Sequence, residues 1–311
     1  MYNLSLIITG ITGFVGGNLN SYLSKKFEIK GISRKSTSEG LTYTTFFEKK
    51  IAYDALIHLA GKAHDLKKIS NDKDYFEANF ELTKKLFKAF LKSDAQKFIY
   101  ISSVKGVADT VVGILTEETQ PNPITAYGKS KLAAENYILA QKLPQNKKVY
   151  ILRPCMIHGP GNKGNLNLLY QLVSKGLPWP LGDFNNQRSF LSIENLCFVI
   201  KELLENETIP SGIYNVSDNQ PLSTNNLIQI IGQSLGNKSR ILNIPSSWIN
   251  RIAKLGDYLR LPLNTERLQK LTENYVVSNN KIVTAIGNPF PLTAEEGLLR
   301  TFESFNKQHK I

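Results

Sequence analysis

Residues 4–8 (Leu-Ser-Leu-Ile-Ile) run straight into Thr9-Gly10-Ile11-Thr12-Gly13-Phe14-Val15-Gly16-Gly17, and nothing else in the chain restricts its fold as strongly. The run predicts a short buried strand. A helical pattern carrying Leu19, Tyr22 and Leu23 follows the glycines. Gly10, Gly13 and Gly16 keep a Gly-x-x-Gly-x-x-Gly spacing, a relative of the Gly-x-Gly-x-x-Gly dinucleotide fingerprint. The physical demand is the same: a tight turn, a backbone close enough to touch a pyrophosphate, and a helix N-terminus aimed at the anion. A glycine-rich turn alone says little; between a strand and a helix it says much more.

Residues 28–32 form a second strand pattern ending at Ser33-Arg34-Lys35. In a dinucleotide fold an acidic residue here binds the ribose 2′-hydroxyl of NAD, whereas a hydroxyl and two cations suit the 2′-phosphate of NADP. A plain basic loop is the alternative. Residues 42–47 predict a short strand. Residues 55–59 form a near-continuous apolar run of the kind buried on both faces of a parallel sheet. Ala60 and Gly61 at its carboxyl end leave room for a cofactor, and the short stretch before it predicts an abbreviated crossover. Residues 74–91 read as a long helix, 97–101 as a strand ending in Ser102-Ser103, and 149–152 as a strand ending in Arg153-Pro154. This alternation predicts an α/β fold, a Rossmann-like doubly wound parallel sheet. Beyond residue 155 the pattern loosens into a smaller mixed α/β C-terminal lobe. It has helices over 165–176, 195–205 and 224–235, strands over 189–192 and 212–216, and an extended stretch over 177–182. The expected division is 1–155 with 187–217 for the dinucleotide and 156–186 with 218–311 for the substrate.

Charge narrows the partners. The chain carries a formal +12 with 38 Lys+Arg against 26 Asp+Glu, which favours anionic ligands. The lysines are scattered, so a nucleic-acid-binding motif is not expected. Cys155 and Cys197 lie in apolar runs with neither metal-ligand nor disulfide spacing, so no metal is expected and a reducing cytoplasm fits. No run reaches the roughly 20 apolar residues of a membrane span, and a signal peptide is not expected.

Tyr127-Gly128-Lys129-Ser130-Lys131 opens a helical segment that runs to about residue 141. The spacing puts the phenol of Tyr127 and the ammonium of Lys131 on one face, one turn apart. A phenol titrates near pH ~10, and a neighbouring ammonium is expected to bring it closer to neutrality. Any amphipathic helix start can carry such a string, so its weight depends on what stands around it.

Taken together, these strings resemble the extended short-chain dehydrogenase/reductase family, in its nucleotide-sugar epimerase, dehydratase and ketoreductase branch. The resemblance covers almost the whole chain. It rests on Gly10-x-x-Gly13-Phe14-x-Gly16, His58-Leu59-Ala60-Gly61, Ser102-Ser103 and Pro121-x-Pro123-x-x-x-Tyr127-Gly128-x-Ser130-Lys131. Arg153-Pro154-x-x-x-x-Gly159-Pro160-Gly161, Arg188-Ser189-Phe190 and Gly212-Ile213-Tyr214-Asn215-Val216 complete it. The resemblance implies Tyr127 as the acid–base residue, Lys131 as the group that lowers its pKa and holds the nicotinamide ribose, and Ser103 as the donor to the reacting oxygen. It implies a cofactor site of Gly10, Gly13, Phe14, Val15, Gly16, Ser33, Arg34, Lys35, Leu59, Ala60, Asn79, Tyr127, Lys131 and Pro154. Arg188 is implied at the diphosphate and Trp179 at the base, with core packing as the alternative for Trp179. Asn165 and Arg267 are weaker carry-overs on the substrate side.

The chain departs from the branch's 4,6-dehydratases, which place an Asp-Glu pair after the active-site hydroxyl residue. Here Val104 and Lys105 stand there, which argues against dehydration. The expected reaction is 4-reduction of a UDP-4-keto-6-deoxy-N-acetylhexosamine in surface-polysaccharide biosynthesis. The alternative is 4-epimerisation of UDP-glucose or UDP-N-acetylglucosamine, and a distant one is a non-catalytic dinucleotide-sensing regulator. NADP(H) is favoured and NAD(H) stays open, as does a homodimer.

Overall fold

Along the inner strands alternate side chains fall into two separate apolar cores. Leu6 and Ile8 belong to one and Ile7 to the other; Ile57 and Leu56, Ile99 and Phe98, and Tyr150 and Ile151 divide the same way. A sheet buried on both faces has no polar side, which is why these strands read as continuous hydrophobic runs. The computed structural model describes residues 4–34, 40–63, 71–162, 164–259, 261 and 263–308.

In chain order the first half comprises β1 (Ser5–Thr9), α1 (Phe14–Leu23), β2 (Glu28–Ser33), β3 (Leu41–Thr42), α2 (Tyr43–Glu48), β4 (Ala55–His58) and α3 (Asp72–Phe76). A π turn (Glu77–Glu81), α4 (Leu82–Lys92), β5 (Lys97–Ile101), β6 (Ile114–Leu115) and α5 (Ala126–Leu139) follow. The second half begins with β7 (Lys148–Pro154), β8 (Met156–His158), α6 (Asn165–Ser174), β9 (Phe190–Ser192), α7 (Ile193–Glu205), β10 (Gly212–Val216) and α8 (Thr224–Ser234). It ends with α9 (Ser246–Leu259), α10 (Thr265–Thr272), β11 (Val276–Val277), α11 (Asn280–Ile286) and α12 (Ala294–Gln308).

The main sheet is Rossmann-like, in the order β10-β7-β5-β4-β1-β2-β3, with every neighbouring pair parallel. From β1 the chain winds outward through β2 and β3, then returns to lay β4 on the other side of β1. The order therefore reverses between β1 and β4, whose carboxyl ends meet at Thr9 and His58. A crevice opens at such a reversal, because the flanking helices leave in opposite directions. The glycine turn stands there.

A third core lies apart from the sheet. Trp179 and Leu181 pack there with residues of α6, α8, α9, α10 and α12, among them Tyr170, Ile231 and Phe302. Short parallel pairs, β8 with β9 and β6 with β11, stand outside the main sheet. α11 returns to the sheet, placing Ile282 and Ile286 in the core that contains Leu6.

Two elements differ from expectation. The strand expected over 42–47 is only Leu41–Thr42, and the chain then turns into α2. Thr42 decides this by capping the helix: its side chain accepts from the N–H of Thr45 at 3.1 Å. Phe46 then anchors that helix on Tyr53, ring centroids 5.8 Å apart. The helix expected over 74–91 is interrupted by the π turn, which carries the buried Asn79. A π turn accommodates an extra residue, so it redirects a side chain without ending the helix, and such turns are frequent at functional sites.

Candidate active site

The first turn of the site is made by backbone alone. Gly10 adopts φ +72°, a left-handed conformation that an L side chain rarely takes, and a Cβ there would come within 2.9 Å of Ala60 Cα. At Gly16 a Cβ would run into the carbonyl oxygen of Gly10, so α1 presses directly on the turn. Gly13, the N-cap of α1, supplies no side chain to its first amides. Those N–H groups, at Phe14 and Val15 among others, point with the helix dipole toward the crevice and suit an anion.

Behind the turn runs an ordered chain of hydrogen bonds. Ala60 N–H donates to Thr9 Oγ1 at 3.2 Å. Thr83 Oγ1 donates to the Asn79 carbonyl at 2.5 Å. Because the Thr83 proton is committed to Asn79, His58 Nε2 donates to Thr83 (2.9 Å), and the other nitrogen of the neutral ring, Nδ1, accepts from Thr9 (2.7 Å). The ring is thus held as one neutral tautomer. Burial, with the Lys131 charge as a second influence, lowers the pKa of His58 to about 3.

Asn79 is fully used. Its Oδ1 accepts from Lys62 N–H at 2.7 Å, and its Nδ2 donates to the Lys62 carbonyl (3.0 Å) and to Ser130 Oγ (2.9 Å). It thereby ties the strand exit after Ala60 to α5, and Ser130 passes the link on to the Tyr127 carbonyl at 2.8 Å. The structure therefore brings the glycine turn, Leu59, Ala60, Asn79 and the head of α5 into one crevice.

Thr125 caps α5, accepting from Gly128 N–H at 3.2 Å, and so starts the helix one residue before Tyr127. Ser103 leaves β5 just below, and its hydroxyl stands close enough to the Tyr127 phenol to favour the phenolate. The expectation that Lys131 makes this phenol more acidic needs correction. Burial is the largest influence and pushes the Tyr127 pKa up; the Ser103 hydroxyl opposes it, and the nearby Tyr75 adds to the rise. The Lys131 ammonium points inward instead, donating to the Ile101 carbonyl at 2.8 Å and lying 4.9 Å from the Tyr100 ring centroid. Lys131 is only 4 % exposed, and its burial lowers its pKa to about 8, against the pull of Glu135 one turn along. Glu135 in turn is locked by Arg153, whose Nε and Nη2 reach it at 3.0 and 2.5 Å.

Toward the substrate side, Arg188 is held between two short bridges, to Leu222 and Tyr275. Its guanidinium donates to the Lys270 carbonyl at 2.8 Å and stands 3.5 Å from Glu273. Lys105, read from the sequence only as a missing acid, stands in the same cluster. Its ammonium donates to the Asp109 carbonyl at 2.7 Å, lies 4.2 Å from the Tyr275 ring centroid, and feels both Glu273 and Arg188. Tyr75, edge-on to Tyr127 at 6.4 Å, was likewise not singled out from the sequence. Both come from segments whose local pattern carries no signal of their own.

The remaining expected residues are placed as follows. Ser33 ends β2, Arg34 follows it exposed, and Lys35 lies outside the described residues. Pro154 ends β7 beside Val216 of β10. Asn165 is exposed as the first residue of α6, and Arg267 is exposed on α10. Trp179 belongs to the core: it is 4 % exposed, packs in the cluster away from the sheet, and donates Nε1–H to Asn225 at 3.0 Å. Its ring faces are covered by protein, which corrects its expected place against a base.

The family model described as "NAD dependent epimerase/dehydratase family" matches residues 6–217, from β1 to just past the end of β10. The chain belongs to that family. As an epimerase/dehydratase family member it is an enzyme. It is 30 % identical to the UDP-glucose 4-epimerase of Vibrio cholerae, over 97 % of this chain and 95 % of that one. It is 26 % identical to the N-acetyl-alpha-D-glucosaminyl-diphospho-ditrans,octacis-undecaprenol 4-epimerase of Escherichia coli O157:H7, again over 97 % and 95 %. The Bordetella bronchiseptica enzyme WbmG, solved in complex with NAD, shares the fold of this family member with a TM-score of 0.75. That match has 17 % identity and covers 98 % and 95 % of the two chains.

Proposed function

We propose that the chain is an oxidoreductase acting at C4 of a UDP-sugar, and that it reduces UDP-4-keto-6-deoxy-N-acetylhexosamines with NADPH. The observation that carries this reading is the Ser103 hydroxyl set beside the Tyr127 phenol, next to the buried Lys131. This group stands across the crevice from an uncapped helix N-terminus. That crevice suits a dinucleotide: free amides for the pyrophosphate, glycines that let backbone approach, and a lysine for the ribose.

A bound dinucleotide would supply a hydride to the carbonyl carbon. Tyr127 would give its proton to the carbonyl oxygen, and Ser103 would hold that oxygen by a hydrogen bond. Burial keeps the phenol protonated at neutral pH, the form from which ketoreduction begins. Lys131 spends one N–H on Ile101 and has two left for a ribose. Arg188, with Lys105 beside it, meets the diphosphate, and Glu273 holds the guanidinium in place until the substrate arrives. Ser33 and Arg34 at the end of β2 favour a 2′-phosphate. In this reading 1–155 with 187–217 serve the dinucleotide and 156–186 with 218–311 the substrate, with β11 and α11 among the parts of the second group that pack on the sheet.

The relatives named as 4-epimerases favour a second reading, in which the same Ser103, Tyr127 and Lys131 oxidise and re-reduce C4 with a retained NAD. One assay separates the two. Reduction predicts one NADPH consumed per UDP-4-keto-6-deoxy-N-acetylhexosamine, no interconversion of UDP-glucose with its galacto form, and loss of the NADPH preference in Arg34→Ala. Bound NAD, no net NADPH oxidation and gluco–galacto interconversion would establish the epimerase instead.

A further inference from the structure

Helix α9 has two apolar stripes, and the protein uses only one. Ile249, Ala253 and Gly256, spaced four and three residues apart, face inward. Gly256 is required there: a Cβ would come against the Leu263 carbonyl, where the chain enters α10. About a quarter-turn away run Trp248, Ile252, Leu255 and Leu259, which are 63 %, 45 %, 54 % and 56 % exposed. At 100° per residue these four fall within about 60° of arc. This is a continuous ridge, not scattered surface residues, and contiguous apolar surface on a protein marks an interaction.

What borders the ridge indicates its occupant. On its solvent side stand Arg251, Tyr258 and Lys254; all three are exposed, Tyr258 by 88 %. The one acid of the helix, Asp257, lies on the far side, where its carboxylate caps Thr265 N–H at 3.0 Å. Aliphatic residues with a tryptophan on the ridge, and a tyrosine flanked by two cations along its margin, form the pattern of a helix lying in a bilayer interface. The chain's net +12 adds attraction to an anionic surface. No helix among the described residues is long and apolar enough to cross a membrane, so α9 lies on the surface.

We propose that the exposed ridge of α9 docks the protein on anionic membranes, with Trp248, Ile252, Leu255 and Leu259 in the acyl boundary and Arg251 and Lys254 at the headgroups. The docked face neighbours α10, whose Lys270 carbonyl holds Arg188. The docking itself does not depend on the redox reading.

The test uses the full chain and vesicles of phosphatidylcholine with one-quarter phosphatidylglycerol, against phosphatidylcholine alone. The chain has two tryptophans and Trp179 is buried, so a blue shift in emission on adding vesicles reports Trp248. Flotation and a blue shift with the anionic vesicles are expected. Ile252→Ser with Leu255→Ser should weaken partitioning by about 10-fold or more. Arg251→Gln with Lys254→Gln should remove most of the preference for anionic lipid, about 5-fold for each cation. Protein that stays in the lipid-free fraction overturns the proposal. So does a blue shift that grows with protein concentration without lipid and disappears in the serine variant, because a second copy would then occupy the ridge.

Discussion

Tyr127 owes its chemistry to two opposed influences, burial that retains its proton and the neighbouring Ser103 hydroxyl that helps release it. Removing the tyrosine hydroxyl tests that balance without disturbing the helix, because Thr125 caps α5 and Ser130 fixes the main chain independently of the phenol. Tyr127→Phe should lower kcat by at least ~100-fold, the low end for a lost general acid. Dinucleotide affinity by titration calorimetry should stay near that of the wild type. A variant that keeps most of its turnover would remove Tyr127 from its role.

At the scale of elements, the π turn between α3 and α4 is the joint of the site. It turns Asn79 into the interior, where one amide fixes both the Lys62 peptide and α5. Asn79→Leu keeps the volume and leaves the Lys62 N–H and carbonyl without their partner. A buried polar group left unsatisfied costs ~1–3 kcal/mol, so the urea midpoint should fall by the equivalent of about 2 kcal/mol or more. Because the same amide joins the two walls of the crevice, dinucleotide affinity should fall with it. An unchanged midpoint would mean that the turn holds its shape without the amide.

Across the whole molecule, pH couples to stability through His58, which stands between β1 and α4. Its folded pKa of about 3 lies below its ordinary 6.5, so between these values the unfolded chain holds a proton that the folded chain does not. The contribution to stability is complete above pH 6.5 and is lost as pH falls toward 3, by up to about 1.4 kcal/mol per pH unit. Urea midpoints at pH 7 and pH 5 should differ in this direction, and His58→Gln should flatten the difference. A slope that survives the substitution would assign it to other groups.

The sequence by itself determined what depends on near neighbours. The β1–glycine turn–α1 unit was legible because a turn of this kind needs glycine at fixed spacing, and Tyr127 and Lys131 because four residues make one helical turn. The buried strands were legible because a sheet covered on both faces is apolar throughout. Tertiary structure decided the rest. Residues 42–47 carry β-branched and aromatic side chains that favour a strand, yet the packing of Phe46 on Tyr53 together with the Thr42 cap selected the helix. Trp179 became core because α6, α8 and α12 closed around it, and Lys105 joined Arg188 because two loops distant in sequence converge. The same holds for acidity: a lysine one turn away suggested a more acidic tyrosine, yet burial, which depends on everything folded around the ring, pushed it the other way.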